Sequence, residues 1–519
     1  MRMRAFALPL SSLLVLSMAA ATNAPALPRY SAPPTLSSVS ERELRIHLEF
    51  LTSDLLQGRD TPSPGLDISR DYIVSHLKQW GVQPGGDNGT YFHTFPLVAN
   101  RLRESGHSVQ MGAVTLEIAK DFVPRTLDGR TIEAPTVFIK SGGYTMPNLD
   151  PYAGKEVKDR VVVVLATVPS GWAQAPRDQR QTPFTAAQAR GAKAVVVLET
   201  SDPSQNAWAQ RVARFQTGRF APQFEPDAAP PIPSIQVAPA AWTKMTAGER
   251  DEEKLAASWS GVPLKMTMST ERVETLAYNI VGKIEGTDPK LKEEIVMVGA
   301  HYDHIGVAAQ GPDRIYNGAD DNGSGTVAVM ALARAFSQGP KPRRTMKFMW
   351  FTGEEKGLWG AEAYVRRPVS PLKNHVALFN LDMIGRSAPA APTDGTLGLT
   401  RTNEIYSIGP KVASSFFERV VYEIGPQVNN VMIRKDMDDL NQRDNIMYRS
   451  DHWPFVRENV PAVFFFGGIH PEYHRVNDHI DLIDFPKLQR VTQMVGGLMW
   501  YSATIDERAT VDRDFPRGR

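Results

Sequence analysis

The stretch that decides the fold is 294-EIVMVGAHYD-303, in which an apolar run is followed directly by polar side chains. The apolar part predicts a buried strand. Three more buried strands are predicted from apolar runs at 346–351, 376–381 and 460–466. Apolar residues at helical spacing predict helices over 327–336 and 358–365. This alternation of strands and helices predicts an α/β sheet that is covered by helices on both faces.

Two regions outside this sheet have patterns of their own. Apolar residues at helical spacing predict amphipathic helices over 40–56 and 68–80. From about 134 to 270, short β-branched runs between Pro and Gly predict a compact β-rich unit. The elements expected there are strands at 136–139, 161–165, 194–198 and 232–237 and a helix at 184–190. The segment 201–231 has no periodicity, and so long a loop in a compact domain is usually functional or mobile.

The composition excludes several classes of partner and site. The 519 residues carry 58 basic and 57 acidic side chains, which gives a formal charge of +1. This balance argues against nucleic acid or an anionic membrane surface as a partner. The chain has no Cys, which excludes disulfides, thiolate metal sites and cysteine nucleophiles. Any metal must therefore be held by His, Asp or Glu.

The first residues have the pattern of an export signal. Arg2 and Arg4 precede an apolar run at 6–20, and small residues follow at 19–24. We expect a signal peptide over 1–24 and a periplasmic or secreted mature chain. The alternative is a membrane anchor, but the run is shorter than the roughly 18 to 20 residues that span a bilayer. No stable membrane insertion is therefore expected after cleavage.

Candidate functional side chains lie where the predicted strands end. In chain order they are His301 and Asp303 after the first strand, Asp320 and Asp321 in a Gly-rich loop, Glu354 and Glu355 after the second strand, Asp382 after the third, and His474 after the fourth. In open α/β sheets, ligands bind in the crevice outside the carboxyl ends of the strands. We therefore expect these side chains to converge in one crevice.

This set of side chains meets the needs of a two-metal hydrolytic site. Two divalent ions roughly 3.5 to 4 Å apart need a bridging carboxylate, His and carboxylate ligands on each ion, and water as the nucleophile. A further carboxylate must stay off the metals, take a proton from the water and pass it to the leaving amine. Glu354 and Glu355 could divide these tasks, because adjacent side chains point in different directions.

Five motifs follow one another along this region. They are 299-GAHYDH-304, 317-NGADDNGSG-325, 351-FTGEE-355, 380-NLDM-383 and 471-PEYH-474. Together they resemble the M28 family of zinc peptidases, over about 276–504 and more loosely over the helices at 40–80. The resemblance implies a mixed, mainly parallel central sheet flanked by helices, two Zn²⁺ per chain, and peptides as substrates.

The resemblance also implies how the metal ligands are divided. His301 and Asp382 would complete one zinc site, and Glu355 and His474 would complete the other. Asp321 would bridge the two ions, because the family pattern puts the bridging aspartate at the start of Asp-Asn-Gly-Ser-Gly. The neighbouring Asp320 is expected to have a capping role in the loop.

Further roles are implied for residues around the metals. Glu354 would be the general base, and Asp303 would orient His301 as carboxylates commonly orient zinc-bound histidines. Tyr448 and the stretch 450-SDH-452 stand where related enzymes shape the pocket or stabilise the oxyanion. Four more histidines are expected to surround the site without binding metal: His304, His452, His470 and His479.

The β-rich unit resembles the protease-associated (PA) domain that many of these enzymes carry as an insertion over the active-site entrance. The motifs that carry this resemblance are 161–165, 187-AQARGAKAVVV-197 and 232-IPSI-235. The expected domain plan is a signal peptide at 1–24, an exposed Pro-rich linker without core residues at 25–39, the N-terminal part of the peptidase domain at 40–133, the PA insert at 134–270, the catalytic domain at 271–506 and a tail at 507–519.

The sequence thus favours an exported di-zinc aminopeptidase that releases N-terminal residues from peptides. The alternative is a carboxypeptidase resembling glutamate carboxypeptidase, or a dipeptidase. Such an enzyme would need a cation to bind the substrate carboxylate. The candidates for this cation are Arg386, Arg443 and Arg449. An inactive peptidase-fold binding protein is disfavoured, because every ligand position and the base position are filled. The two-metal ligand set also disfavours a single-zinc acyltransferase. The sequence predicts no oligomeric state.

Overall fold

A computed structural model describes residues 26–517, apart from 127–128, 201–207, 209–210, 214, 217, 225–230, 247, 389–397 and 441–443. The predicted signal peptide and Arg443 lie outside the described residues. Among the residues described, no helix is both long and apolar enough to cross a bilayer.

The strands form two sheets. In chain order they are β1 (Gln83–Pro84), β2 (Phe92–Leu102), β3 (Ser108–Met111), β4 (Val114–Leu116), β5 (Phe122–Thr126), β6 (Thr131–Phe138), β7 (Val161–Leu165), β8 (Ala194–Leu198), β9 (Ala221–Pro222), β10 (Ser234–Val237), β11 (Pro263–Thr267), β12 (Thr270–Ile284), β13 (Ile295–His301), β14 (Thr345–Phe351), β15 (His375–Leu381), β16 (Glu404–Ile408), β17 (Met432–Arg434) and β18 (Ala462–Phe466). The larger sheet has the order β17-β16-β18-β15-β13-β14-β12-β2-β9, with β1 paired to β12, and the smaller has the order β4-β3-β11-β6-β7-β8-β10-β5.

Helices accompany both sheets. They are α1 (Glu41–Leu51), α2 (Pro64–Gln79), α3 (Pro183–Ala189), α4 (Pro239–Thr246), α5 (Glu252–Ser258), α6 (Gly325–Ser337), α7 (Trp359–Arg366), α8 (Pro410–Ala413), α9 (Ser415–Arg419), α10 (Gly425–Asn429), α11 (His452–Arg457) and α12 (Phe485–Thr504). The N-terminus of α1 is capped by Ser40, whose side chain accepts a hydrogen bond from the Glu43 N–H.

The larger sheet is mixed, as expected, and both of its faces are covered. Its centre, β18-β15-β13-β14, is parallel, whereas β12 and β16 join it antiparallel. Ile295 and Met297 of β13 pack into one hydrophobic core, and Val296 and Val298 pack into another on the opposite face. Helices α6 and α12 cover one face, and α7 and α11 cover the other. The predicted α/β fold class is confirmed.

The smaller sheet is inserted between two strands of the larger one. The chain leaves the larger sheet after β2 and returns along β12, and these two strands pair antiparallel over most of their length. The smaller sheet begins at β3, upstream of the predicted boundary at 134, because β3 pairs with β11 and β5 pairs with β10. Strands β3 to β5 are short and carry polar residues, so they lack the β-branched runs on which that boundary rested.

Two segments expected to lie outside the core pack against it. Leu36 and Val39, in the predicted linker, are buried, and the Tyr501 hydroxyl donates a hydrogen bond to the Pro28 carbonyl. In the predicted tail, Phe515 is buried with its ring 6.3 Å from that of Trp453. The expectation that 25–39 contributes no core is wrong, because the average composition of a segment does not reveal that its few apolar side chains find a hydrophobic surface.

A buried lysine on β14 gives the sheet a pH-dependent stability. Burial, assisted by Lys283, lowers the pKa of Lys347 to about 8, and its ammonium donates to the Ser370 hydroxyl at 2.9 Å. Below pH 8 the lysine is charged in both the folded and the unfolded chain, so folding bears the full cost of burying the charge. As the pH rises from 8 towards 10.5, the folded protein loses this proton first and the cost disappears.

We therefore expect Lys347→Met to gain stability relative to the parent at pH 7. This gain should shrink by about 2 to 3 kcal/mol between pH 7 and pH 10. Chemical denaturation of both proteins at the two pH values measures the difference. A difference that does not change with pH would contradict the prediction, whatever its size.

Candidate metal centre

The parallel strands at the centre of the larger sheet bring the predicted ligands to one edge. His301 is the last residue of β13, Glu354 and Glu355 follow β14, and Asp382 follows β15 directly. Asp321 lies in the loop 319–324 that leads into α6, and His474 lies in the loop after β18. Because these strands run in the same direction side by side, their carboxyl ends meet.

One half of the site is buried around His301. Its Nε2 lies 3.4 Å from Oδ1 of Asp321 and 3.5 Å from Oδ1 of Asp382. An oxygen of Glu354 lies farther away, at 3.9 Å from the same nitrogen. Burial alone would lower the pKa of His301, but the carboxylates of Asp382 and Glu354 outweigh it and hold that pKa well above its ordinary value.

The other half lies around His474. Its Nε2 is 3.0 Å from Oε2 of Glu355 and 3.2 Å from Oδ2 of Asp321. The two oxygens of Asp321 thus face two different histidines, Oδ1 towards His301 and Oδ2 towards His474. A carboxylate that presents one oxygen to each half of a site has the geometry of a bridging ligand.

The donor atoms fit divalent metal ions. Among the described residues, Nε2 of His301 and Oδ1 of Asp382 have no hydrogen-bond partner although both are buried, an arrangement that is costly unless something else binds them. Ligand atoms about 2.1 Å from a tetrahedral zinc lie about 3.4 Å from one another. The separations of 3.0 to 3.5 Å around Asp321 match that spacing. Imidazole nitrogen and carboxylate oxygen are also the donors that zinc accepts.

Backbone contacts fix the orientation of His301. Its Nδ1 donates a hydrogen bond to the backbone carbonyl of Asp303 at 3.2 Å, so that in the neutral ring, the form that binds metal, Nε2 presents its lone pair to the crevice. The Asp303 carboxylate is farther away, at 3.6 Å, and instead accepts the backbone N–H of Glu354 at 3.2 Å. Asp303 therefore contacts His301 through its backbone carbonyl and contacts the predicted base, Glu354, through its carboxylate.

Asp320 and Asp321 point in different directions. Oδ1 of Asp320 accepts the Gly385 N–H, so this carboxylate faces away from the two histidines. Asp478 accepts the backbone N–H groups of both aspartates at 3.0 to 3.2 Å and holds their loop in place. Asp478 was not predicted from the sequence, since no motif contains it and its partners lie about 157 residues away.

His304 also lies inside the site. Its Nδ1 donates to Oε1 of Glu355 at 2.6 Å but remains 4.0 Å from Asp321. His304, Asp321 and Glu355 come close enough together to hold an ion. His474 nevertheless fits the ligand position better, because it is closer to Asp321 and approaches the other oxygen of Glu355. His304 then orients Glu355 from the opposite side.

Glu354 has the environment of a proton-transfer group. Burial raises the pKa of its carboxyl well above the ordinary range, and Glu355, Asp382 and the buried Asp451 raise it further. A carboxyl group whose pKa is raised holds a proton more readily than an ordinary glutamate, which suits a group that accepts a proton and passes it on. Its backbone is fixed by the hydrogen bond to Asp303.

Ser450 fixes the orientation of Asp382. Its hydroxyl donates to Oδ2 of Asp382 at 2.7 Å and accepts from the Asn380 amide at 2.8 Å. The other oxygen of Asp382 is thereby left to face His301. Ser450 belongs to the stretch 450–452 that the sequence pointed to, but its contact with Asp382 was not predicted, because only the folded chain brings the two together.

A cleft opens onto these carboxylates. It is lined by Asp321, Glu354, Asp382, Met383, Ile446, Arg449, Phe464, Phe466, Ile469 and Tyr473. Tyr448 is not among these lining residues in the described part of the chain, and its ring packs edge-on against Trp453 with the centres 4.6 Å apart. Its role towards substrate remains a prediction.

A buried arginine holds two loops of the site through hydrogen bonds to their backbone. The Arg59 side chain donates hydrogen bonds to the backbone carbonyls of Tyr302 at 3.1 Å, Asn317 at 2.7 Å and Gly318 at 3.1 Å, and also to that of Leu51. Burial lowers its pKa to about 10, so it stays charged at neutral pH beside the acidic residues of the site. Arg59 thus joins the loop after β13 to the loop before α6.

We expect Arg59→Met to lower the free energy of unfolding by about 3 to 5 kcal/mol, because four buried carbonyls lose a charged donor and nearby carboxylates lose a counter-charge. Urea denaturation measures this change. Arg42→Met, at an exposed position of α1, is the matched control and should stay within about 0.5 kcal/mol of the parent. Equal effects of the two substitutions would show that Arg59 does not hold these loops.

Comparison with known proteins places this site in a family. The sequence model of peptidase family M28 matches residues 279–499, which contain all the predicted ligands. Residues 279–499 thus form a peptidase family M28 region. The chain is 27% identical over 259 residues to a probable leucine aminopeptidase of Arthroderma otae, a match that covers 45% of this chain and 65% of that protein, less than two thirds of it.

Other relatives match more of the length. A probable lipoprotein aminopeptidase of Mycobacterium tuberculosis is 25% identical over 459 residues, which covers 80% of this chain and 81% of that protein. The solved aminopeptidase from Aneurinibacillus sp. strain AM-1 superposes with a TM-score of 0.53 at 18% identity and covers 93% of this chain and 99% of that one. This structural likeness supports the fold.

Proposed function

We propose that this M28 protein is an exported zinc aminopeptidase with two zinc ions per chain, which releases N-terminal residues from peptides. The observation that carries the proposal is the orientation of Asp321, with one oxygen towards His301 and the other towards His474. Two M28 relatives are named as aminopeptidases. A title among the solved structures of this fold also names a zinc aminopeptidase, that of Bacillus subtilis.

The ligands divide into two sets that share one carboxylate. His301 and Asp382 would hold one ion, Glu355 and His474 would hold the other, and Asp321 would bridge them. When bound, zinc in such a site polarises the scissile carbonyl and makes water nucleophilic at neutral pH. The supporting residues Ser450 and His304 keep the ligand oxygens of Asp382 and Glu355 in place.

The proton transfers fall to Glu354. Its carboxylate takes a proton from the attacking water and delivers it to the nitrogen of the leaving amine. Its raised pKa suits both steps, and the Asp303 contact fixes the segment from which it projects. We place the N-terminal residue of a peptide here because the relatives are named as aminopeptidases, and its free α-amine would bind near the metals and the acidic residues of the site.

The inserted sheet is proposed to be a PA domain that limits access to the site. The support is a contact between the insert and the larger sheet: β9 pairs with β2. In the same segment Phe224 packs in a small hydrophobic cluster with Trp359, which follows Glu354 by five residues. Export is proposed from the N-terminal signal pattern, together with the lipoprotein named among the relatives.

Hydrolysis of aminoacyl-anilides tests the proposal. The purified mature protein is expected to cleave leucine anilide but not its N-acetylated form, and to lose this activity on chelation. Metal analysis is expected to find two zinc ions per chain. Cleavage of the acetylated substrate would exclude an aminopeptidase, and a metal-free, inert protein would favour a binding protein with a peptidase fold.

A further inference from the structure

The cleft beside the candidate metal centre has a cation in its wall. Five apolar side chains line the cleft: Met383, Ile446, Phe464, Phe466 and Ile469. Arg449 and Tyr473 line it too, together with carboxylates of the metal centre. A guanidinium repels an N-terminal ammonium group because both are positively charged, so Arg449 does not bind the amine of a substrate. A cation in this wall suits a negatively charged part of the substrate.

The positive charge of Arg449 is not neutralised by a carboxylate of the protein in the part of the chain that is described. In the described part of the chain, Arg449 forms no ion pair, and its side-chain contacts are a hydrogen bond to the Tyr473 hydroxyl at 3.1 Å and a ring contact with the same residue. Arg386, another candidate from the sequence, is already paired with Glu472 at 2.9 Å and is largely buried. Of these two arginines, only Arg449 lines the cleft with an unpaired charge.

The position of Arg449 is linked to the metal centre. The ring of Tyr473 stacks on that of His474, with the centres 3.8 Å apart. Tyr473 therefore holds Arg449 on one side and contacts a proposed zinc ligand on the other. A guanidinium fixed in this way can receive a carboxylate through two parallel hydrogen bonds, an interaction that a lysine reproduces poorly.

We propose that Arg449 binds a carboxylate of the substrate, so that the protein prefers peptides with a free carboxylate close to the scissile bond. This inference rests on the proposed peptidase function. The carboxylate can come from two sources: the C-terminus of a dipeptide, or the side chain of an acidic N-terminal residue. Both sources supply the same chemistry to the guanidinium.

Two matched substrate pairs separate the sources. The first pair is Leu-Ala and Leu-Ala amide, which differ in the C-terminal charge, and the second is the anilides of glutamate and glutamine, which differ in the side-chain charge. We compare kcat/KM for each pair in the parent, Arg449→Met and Arg449→Lys. The control is Arg160→Met, which removes an arginine that directly precedes β7 of the smaller sheet and pairs with Glu156.

Arg449→Met is expected to lower the charged-to-neutral ratio of kcat/KM by about 10- to 100-fold for one of the pairs. Arg449→Lys should retain part of the ratio, and Arg160→Met should retain all of it. A fall for the dipeptides assigns Arg449 to the C-terminal carboxylate, and a fall for the anilides assigns it to the side chain. Unchanged ratios for both pairs overturn the inference, while cleavage of leucine anilide would still support the aminopeptidase.

A binding measurement tests the role of Arg449 even if the protein does not have the proposed peptidase activity. Calorimetry compares the binding of Leu-Ala and Leu-Ala amide, and of glutamate anilide and glutamine anilide, to Glu354→Gln with and without Arg449→Met. A charged member that binds more tightly only when Arg449 is present supports the inference. Equal affinities in the presence and absence of Arg449 overturn it.

Discussion

Glu354→Gln is expected to lower kcat by about a thousandfold while leaving zinc content and stability close to those of the parent. Glutamine has the shape of glutamate but cannot accept a proton, so the water loses its base and the leaving amine loses its acid. Glu354 lies 3.9 Å from Nε2 of His301, farther than Asp321 and Asp382, so the metal ligands should remain complete. Steady-state kinetics on leucine anilide, with metal analysis of the same samples, measures both quantities.

The adjacent glutamate provides a sharp comparison. Glu355→Gln changes a residue whose two oxygens contact His304 and His474, so we expect it to reduce zinc content as well as activity. Glu362→Gln, on α7 and paired with Arg457, is the neutral control and should keep both. Equal loss of zinc in the first two variants would mean that Glu354 is a ligand and that the two neighbours do not divide the tasks as proposed.

The fold of the catalytic region was predictable because its signals are local. A fully buried strand must be apolar on both faces, so β15 is visible as a continuous run, and its predicted bounds of 376–381 differ from His375–Leu381 by one residue. The long pair of β2 and β12 was not predicted. Half-exposed strands carry many polar residues, as in β12, and their pairing joins segments about 180 residues apart in sequence.

Some residues of the candidate site could be predicted from local sequence patterns, and others could not because they join the site only in the folded chain. His301 and Glu354 each stand within two or three residues of a strand end, so the rule for ligand sites in α/β sheets finds them. Asp478 and Arg59 act on the backbone of the loop around Asp321, to which they are joined only by folding. Asp478 accepts from backbone N–H groups and Arg59 donates to backbone carbonyls, and such bonds do not depend on which residue supplies the backbone group, so no sequence motif records them.

The choice between Asp320 and Asp321 rested in the sequence on resemblance alone, and the structure adds a physical reason. Both aspartates are buried and both stand in the same loop. They differ in what their oxygens face: the Gly385 N–H and His470 for Asp320, and the two proposed ligands His301 and His474 for Asp321. This difference makes the pair a natural test of the bridging proposal.

Asp321→Asn is expected to remove both zinc ions and to abolish activity, with a loss of at least about a thousandfold. An amide has one oxygen and carries no charge, so it cannot bind two cations or offset their mutual repulsion. Asp320→Asn keeps an oxygen for the Gly385 N–H and should retain two ions per chain. Metal analysis after dialysis against a weak chelator, with circular dichroism as the check on folding, distinguishes the two variants.

The number of ions that remain in Asp321→Asn tests the symmetry of the site. If Asp321 bridges, both halves lose a ligand, because His301 and Asp382 are left as a pair on one side and Glu355 and His474 as a pair on the other. Two-ligand sites hold zinc weakly, so both ions should dissociate together. Retention of one tightly bound ion would show that Asp321 serves only one half, and the shared-carboxylate proposal would then fail even if activity were lost.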